Sequence, residues 1–323
     1  IMTTFKNING FQIQYLASDP TNPIEGQVWF NSTSKALKGH GIQGAGAWAS
    51  GGAMNTARQQ ATASGTQTAG IAAGGGTVNV EQYNGSAWTE VANLNVSVSR
   101  ASISAQAPNA NTLNFGGTPD SDKTESWNNS SWTEVANLNS GRLGAGGFGE
   151  SNTSAGNAGG QLTTSTEIYN GSSWTEVNDL NAARRYLGGL GTVTAALVVA
   201  GDTDNPSFPG GRNTARVESW NGTSWTEIAD INSARVYVGT AGIQTSAIVF
   251  GGSPGSPYLR LTEAWNGTSW TEVADLATGR RAWSSGAGSS SSAIAAGGEG
   301  PSSSITTTEE WNLAVDTKTF TVS

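Results

Sequence analysis

Short apolar stretches alternate along the chain with runs of Gly, Ser, Thr and Asn, and from about residue 48 onward they recur in one order. A stretch of small residues such as 101–107 comes first. An apolar run ending in a Gly pair follows, as in Ile71-Ala72-Ala73-Gly74-Gly75, Leu113-Asn114-Phe115-Gly116-Gly117, Ile248-Val249-Phe250-Gly251-Gly252 and Ile294-Ala295-Ala296-Gly297-Gly298, with Val198-Val199-Ala200-Gly201-Asp202 as a variant. Third is Thr-Glu-x-aromatic, as in Thr262-Glu263-Ala264-Trp265, and fourth is Ser-Trp-Thr-Glu-Val. Short apolar runs bounded by turn residues predict strands, so each unit reads as four of them. Helical periodicity is absent, and Gly every few positions would break a helix. Asn-Gly between the third and fourth strands predicts a hairpin with positive φ at both central residues.

The phrase Tyr83-Asn84-Gly85-Ser86-Ala87-Trp88 returns at 127–132, 169–174, 220–225 and 265–270, and a degenerate Ala47-Trp48-Ala49-Ser50 opens the series. The Trp spacings from Trp48 onward are 40, 44, 42, 51 and 45 residues, the length of a propeller blade. Arg58, Arg142, Arg184, Arg235 and Arg280 each lie ten residues after such a Trp, and Arg100 lies twelve after Trp88. Period and order resemble the Kelch family of β-propellers over residues 43–323. The resemblance implies an all-β, six-bladed Kelch-like propeller, its sixth blade completed by the strand at 48–55, with 318–322 nearby or in that role. Closure of such a ring leaves only short, protected sheet edges. Residues repeated in every blade serve the blade: Trp88, Trp132, Trp174, Trp225 and Trp270 are expected in the core. The Arg series, Arg142 and Arg235 included, is expected to pair with Glu or with carbonyls between blades.

Residues 1–42 differ. They hold Phe11, Tyr15 and Pro20…Gly26-Gln27-Val28-Trp29-Phe30-Asn31, which read as a strand, a turn and a second short strand. This segment is similar to one near the anchoring ends of many bacteriophage fibre and virion-surface proteins. That resemblance implies an attachment arm, other virion proteins as partners, homo-oligomerisation and location on the virion. So short a segment cannot bury Phe11, Tyr15, Trp29 and Phe30 by itself.

Composition narrows the chemistry. The 323 residues are 12% charged with a net charge of −8, which argues against nucleic-acid binding. There is no Cys and one His, which excludes thiolate, zinc–cysteine and iron–sulfur chemistry and any two-histidine mechanism, copper radical oxidation among them. No sialidase box stands in the sequence. No cofactor, no metal site and no enzyme activity are expected. No apolar run reaches about 18 residues, so no membrane insertion is expected. The opening residues carry no signal-peptide pattern. Individual function should lie in the variable loops at 118–123, 150–161, 202–216, 253–261 and 299–305, all expected on one face. Their candidates for contact with a host-surface glycan or a protein are Asp120, Asp122, Asp202, Asp204, Phe208, Arg212, Tyr258 and Arg260. The expectation is a non-enzymatic bacteriophage virion structural protein, a tail fibre, spike or surface decoration. The alternative is a secreted or cell-surface lectin-like propeller.

Overall fold

A computed structural model describes residues 13–21, 27–42, 46–203, 212–313 and 315–320. Among these, every regular element is a β-strand. The chain divides into two units, Ile1–Gly46 with Leu313–Ser323, and Ala47–Asn312. Six repeats lead to six four-stranded sheets, whereas the structure has seven. Six belong to the larger unit, and the seventh is built by the flanking segments, whose own alternation lets them pair with each other.

Within the larger unit each sheet is an antiparallel meander. The first runs through Ala61–Thr66, Ala69–Gly74, Val80–Tyr83 and Trp88–Val91. The second holds Ser102–Ile103, Leu113–Phe115, Thr124–Trp127 and Trp132–Glu134, and the third Gly146–Ser151, Ser154–Ala158, Thr166–Tyr169 and Trp174–Val177. The fourth begins at Gly188–Thr192 and ends at Trp225–Glu227, and the fifth begins at Gly239–Ile243 and ends at Trp270–Val273. The sixth takes Gly286–Gly288, Ser292–Ala296 and Thr308–Asn312 from one end of the unit and Ala47–Ser50 from the other. The arrangement is propeller-like. The strand at Val315–Phe320 does not join these sheets but pairs with Ala36–Ile42.

Two features recur from sheet to sheet. In each of the first five sheets the fourth-strand Trp stacks on the third-strand aromatic directly opposite, at centroid distances of 5.0 to 5.3 Å. In the sixth, Trp48 and Trp311 lie 5.5 Å apart. Trp88, Trp132, Trp174, Trp225 and Trp270 are all buried, as expected of core residues. Several reach across to the sheet before them: Trp174 donates its Nε1–H to Thr124 Oγ1 at 3.2 Å, Trp225 to Thr166 Oγ1 at 3.0 Å, and Trp48 to Thr262 Oγ1 at 2.9 Å. The first strands converge until there is no room for a Cβ. One added at Gly147 would stand 2.5 Å from the Ile103 carbonyl oxygen, and one at Gly189 would stand 2.4 Å from that of Gly147. Close approach of backbones, more than turn chemistry, accounts for much of the Gly content.

The second feature is a buried ion pair. Arg58, Arg142, Arg184, Arg235 and Arg280 face Glu81, Glu167, Glu218, Glu263 and Glu309 on the third strand of the sheet that their connector enters. The pairing is therefore within a sheet, where the sequence led us to place it between blades, because the connector folds back over its own sheet before the first strand starts. Burial lowers the pKa of the Arg142, Arg184, Arg235 and Arg280 guanidiniums, and the facing carboxylate opposes this. Arginine stays charged regardless. In four of the five an Asn three residues before the Arg completes the network: Asn139, for one, gives its backbone N–H (2.8 Å) and its Nδ2 (2.9 Å) to Glu167 Oε2, and Nδ2 also reaches the Trp174 carbonyl, while in the sixth sheet only the Ala277 N–H stands in this place. Neighbouring sheets meet at the Arg carbonyl, which accepts the N–H of the second Gly of the preceding sheet. Gly117 bonds Arg142 at 2.9 Å, Gly160 bonds Arg184 at 2.8 Å, Gly252 bonds Arg280 at 2.8 Å, and Gly298 of the sixth sheet bonds Arg58 of the first at 3.0 Å.

Three local expectations change. Only the Gly of the Asn-Gly turn has positive φ (Gly85, 92°); the Asn84 side chain accepts the N–H groups of Ser86 (3.0 Å) and Ala87 (2.9 Å), so an Asx turn replaces the expected geometry. Residues 150–161 are not a loop after the second strand: they span the hairpin between Gly146–Ser151 and Ser154–Ala158, and the third sheet's Gly pair is Gly159-Gly160. Arg100 does not belong to the Arg series, since Val98 takes that place and its carbonyl accepts the Gly75 N–H at 2.8 Å.

In the flanking sheet Gln14–Leu16 runs parallel to Val28–Asn31, which pairs antiparallel with Ala36–Ile42. Trp29 is wholly buried, and Tyr15, 74% exposed, packs its ring 4.8 Å from that of Phe30. Phe11 lies outside the described residues. Asp19 ties this sheet together, accepting from Trp29 Nε1 (2.9 Å), Asn31 Nδ2 (2.7 Å) and Lys38 Nζ (2.6 Å). Those hydrogen bonds, Lys38 foremost, hold the Asp19 pKa down at about 2.

Two predictions follow from these networks. Removing one partner of a buried pair, as in Arg142→Met, should cost about 3–5 kcal/mol, and Arg142→Met with Glu167→Gln should cost less than the two single losses added, as read from denaturant midpoints. Because the folded pKa of Asp19 is depressed, its stabilisation is present above the unfolded carboxylate value near 3.8 and is lost as pH falls through about 2. The Trp29 indole N–H resonance should therefore shift and broaden on acidification across that window, and Asp19→Asn should lose the response.

Candidate functional site

The connectors that carry the Arg series also build the site. One to three residues before each first strand, the backbone enters the left-handed region at Gln60 (φ 60°), Arg100 (58°), Gly144 (64°), Tyr186 (58°), Tyr237 (60°) and Trp283 (54°). A left-handed backbone costs a non-Gly residue about 1–2 kcal/mol. The surroundings hold it there by a belt of backbone hydrogen bonds. Arg100 N–H donates to the Gln60 carbonyl (3.1 Å), Gly144 to Arg100 (2.9 Å), Tyr186 to Gly144 (2.6 Å), Tyr237 to Tyr186 (3.0 Å) and Trp283 to Tyr237 (3.2 Å). Six side-chain positions are thus gathered at one end of the converging first strands.

Three of them carry aromatics in mutual contact. Tyr237 lies 3.9 Å from Trp283 between ring centroids and 4.8 Å from Tyr186, and Tyr186 meets Trp283 edge-on at 5.6 Å. Guanidiniums surround them. Arg100 sits over Trp283 at 5.6 Å, Arg185 over Tyr186 at 5.1 Å, and Arg281 over both Tyr237 and Tyr258 at 4.9 Å. Such contacts are favourable on an aromatic face and orient the cation. Arg185 is held by Asp202 Oδ2 through Nε (3.1 Å) and Nη2 (3.0 Å). Arg281 Nη1 lies 3.3 Å from both carboxylate oxygens of Glu299, which also accepts the Tyr258 hydroxyl at 2.8 Å. Arg100 has no carboxylate partner among the described residues; its Nε donates to Gln60 Oε1 at 3.2 Å. Burial raises the Tyr237 pKa, and the bond to Glu299 raises that of Tyr258, so both phenols stay protonated donors near neutrality. Between these groups lies a shallow, solvent-open depression lined by Arg100, Tyr186, Tyr237 and Trp283.

The structure brings together part of the residue set expected from the sequence. Asp202 and Tyr258 join the aromatic cluster through Arg185 and Arg281, and Arg212 lies 3.9 Å from Asp202. Asp204 and Phe208 lie outside the described residues. Arg260 stands apart, donating to the Leu276 carbonyl at 2.6 Å. Asp120 and Asp122 belong to the loop of the second sheet, where the Asp122 carbonyl accepts the Leu138 N–H at 2.9 Å. Among the described residues no group of three His, Asp or Glu gathers in a way that could hold a metal ion. Sequence reasoning missed Tyr186, Tyr237 and Trp283. The available signal was a varying position inside a repeat whose neighbours hardly vary: Gln60, Arg100, Gly144, Tyr186 and Tyr237 each stand two residues after the Arg-series place.

No protein-family model matches the chain, and no curated protein sequence matches it. Among solved structures, YjhT, a fold of propeller type, is similar, with a TM-score of 0.66 over 83% of this chain and 99% of that one. The two are 14% identical, so the likeness is one of fold alone. Among the described residues no helix is long and apolar enough to cross a membrane.

Proposed function

We propose that this chain is a non-enzymatic bacteriophage virion structural protein that contacts a host-surface glycan or a neighbouring virion protein. In this reading the six sheets of the larger unit are the blades of a Kelch-like ring, and the flanking unit attaches the protein to the particle. The observation that carries the binding role is the stacked trio Tyr186, Tyr237 and Trp283 beside Arg100. Aromatic faces suit the apolar faces of sugar rings, and a guanidinium without a carboxylate partner suits hydroxyl or acidic groups on the same ligand. Asp202 and Glu299, the carboxylates at the site, are each committed to a guanidinium, which favours binding over acid–base chemistry. The virion assignment rests on the segment around Val28–Asn31 and its likeness to phage attachment segments. The same aromatic trio supports the second reading, a secreted or cell-surface lectin-like propeller.

Two measurements test this. On an array of bacterial surface glycans, Tyr237→Ala and Arg100→Ala should each weaken binding by about tenfold or more, equivalent to about 1.4 kcal/mol, with thermal unfolding little changed. Equal binding by wild type and both variants would remove the cluster from the proposal. Immunogold labelling of particles from a producing culture should mark virions; label confined to medium or cells would put the lectin reading first.

A further inference from the structure

The second sheet lacks a part that its five sisters have. In each sister a guanidinium lies within 3.1 Å of the third-strand glutamate. In the second sheet Val98 occupies the Arg place, and Glu125 is retained with no cation on it among the described residues. The rest of the network is intact: Asn95 gives its N–H (2.8 Å) and Nδ2 (2.6 Å) to Oε2, while among the described residues Oε1 receives only the Val96 N–H at 3.3 Å. The oxygen that faces a guanidinium in the sisters is the one left short. Glu125 is still 6% exposed, against 0 to 3% for the other five glutamates. Beside it opens a shallow, solvent-open niche lined by Val98, Asn114, Asp120, Lys123 and Glu125.

The sisters also show how a ligand would sit. Arg58 and Arg142 place Nη2 on the glutamate and Nη1 on the carbonyl two residues before it, Asn79 at 2.7 Å and Ser165 at 2.9 Å. In the second sheet that carbonyl belongs to Lys123. The Lys123 amino group is directed elsewhere, to Glu134. A buried carboxylate without a counter-charge is unfavourable, and a flat fork of donors matches a carboxylate and a carbonyl side by side. We propose that this niche binds a guanidinium group, offered either as the arginine side chain of a partner protein or as a free guanidinium compound.

Calorimetric titration of the full chain with millimolar methylguanidinium, methylammonium and the blocked peptide acetyl-Gly-Arg-Gly-amide tests this. Wild type should bind methylguanidinium at least about tenfold more tightly than methylammonium, since only the former has the fork. Val98→Arg supplies the tethered group that the sisters carry, so it should abolish that binding and raise the melting temperature. Peptide binding would assign the niche to a partner's side chain, and peptide rejection with methylguanidinium binding to a free compound. Absence of methylguanidinium binding, or equal binding by Val98→Arg, overturns the proposal. So does binding that emerges only in Lys123→Met, which would mean that the chain's own lysine fills the niche.

Discussion

A carboxylate on the third strand, buried away from water, governs the construction of the larger unit. Such a group is tolerated only when charge and hydrogen bonds replace the lost solvent. In the third sheet Glu167 collects the Asn139 backbone and side-chain N–H groups and the Arg142 guanidinium, and every one of these donors lies on the incoming connector. Satisfying the charge therefore pins the connector. The pinned connector holds out the Arg142 carbonyl to Gly117 of the preceding sheet, where a Cβ would stand too close to neighbouring backbone. Repetition of Asn, Arg, Glu and Gly along the chain is one requirement written several times.

The pinned connector has a functional consequence. Two or three residues beyond the arginine place the backbone is forced into the left-handed region, and the belt of hydrogen bonds from Gln60 round to Trp283 holds it there. Side chains at these positions project from a rigid frame and pack on one another, Tyr186 and Tyr237 half-buried and Trp283 buried. They are free to differ, and they do: an amide, a guanidinium, a glycine and three aromatics. Strain over-determined by its surroundings and set beside stacked rings suits a preorganised binding surface.

The likeness to YjhT at 14% identity fits this division of labour. The frame needs only strands, a few buried pairs and glycines where backbones meet, so very different sequences can build it, and the chemistry presented on it is set separately. The flanking sheet has a different organising group. There Asp19 draws in the Trp29 indole, the Asn31 amide and the Lys38 ammonium, and so holds a small sheet together where little apolar area is buried.

The sequence by itself determined that the chain is all-β and repeats a four-strand unit, and that the Ser-Trp-Thr-Glu tryptophans are core. Those conclusions depend on local periodicity and on repetition, which survive without coordinates. The strand expected at 48–55 does join the last sheet, though only as Ala47–Ser50, because that repeat lacked a fourth strand. Tertiary structure alone decided the rest. Val98, and not Arg100, stands in the arginine place because hydrogen-bond register, not residue type, defines that place. Tyr186, Tyr237 and Trp283 lie about 50 residues apart in sequence. They meet because the first strands converge at one end, a distance that no linear pattern encodes. The flanking segments, at opposite ends of the chain, form one sheet through long-range pairing whose partners the sequence does not specify.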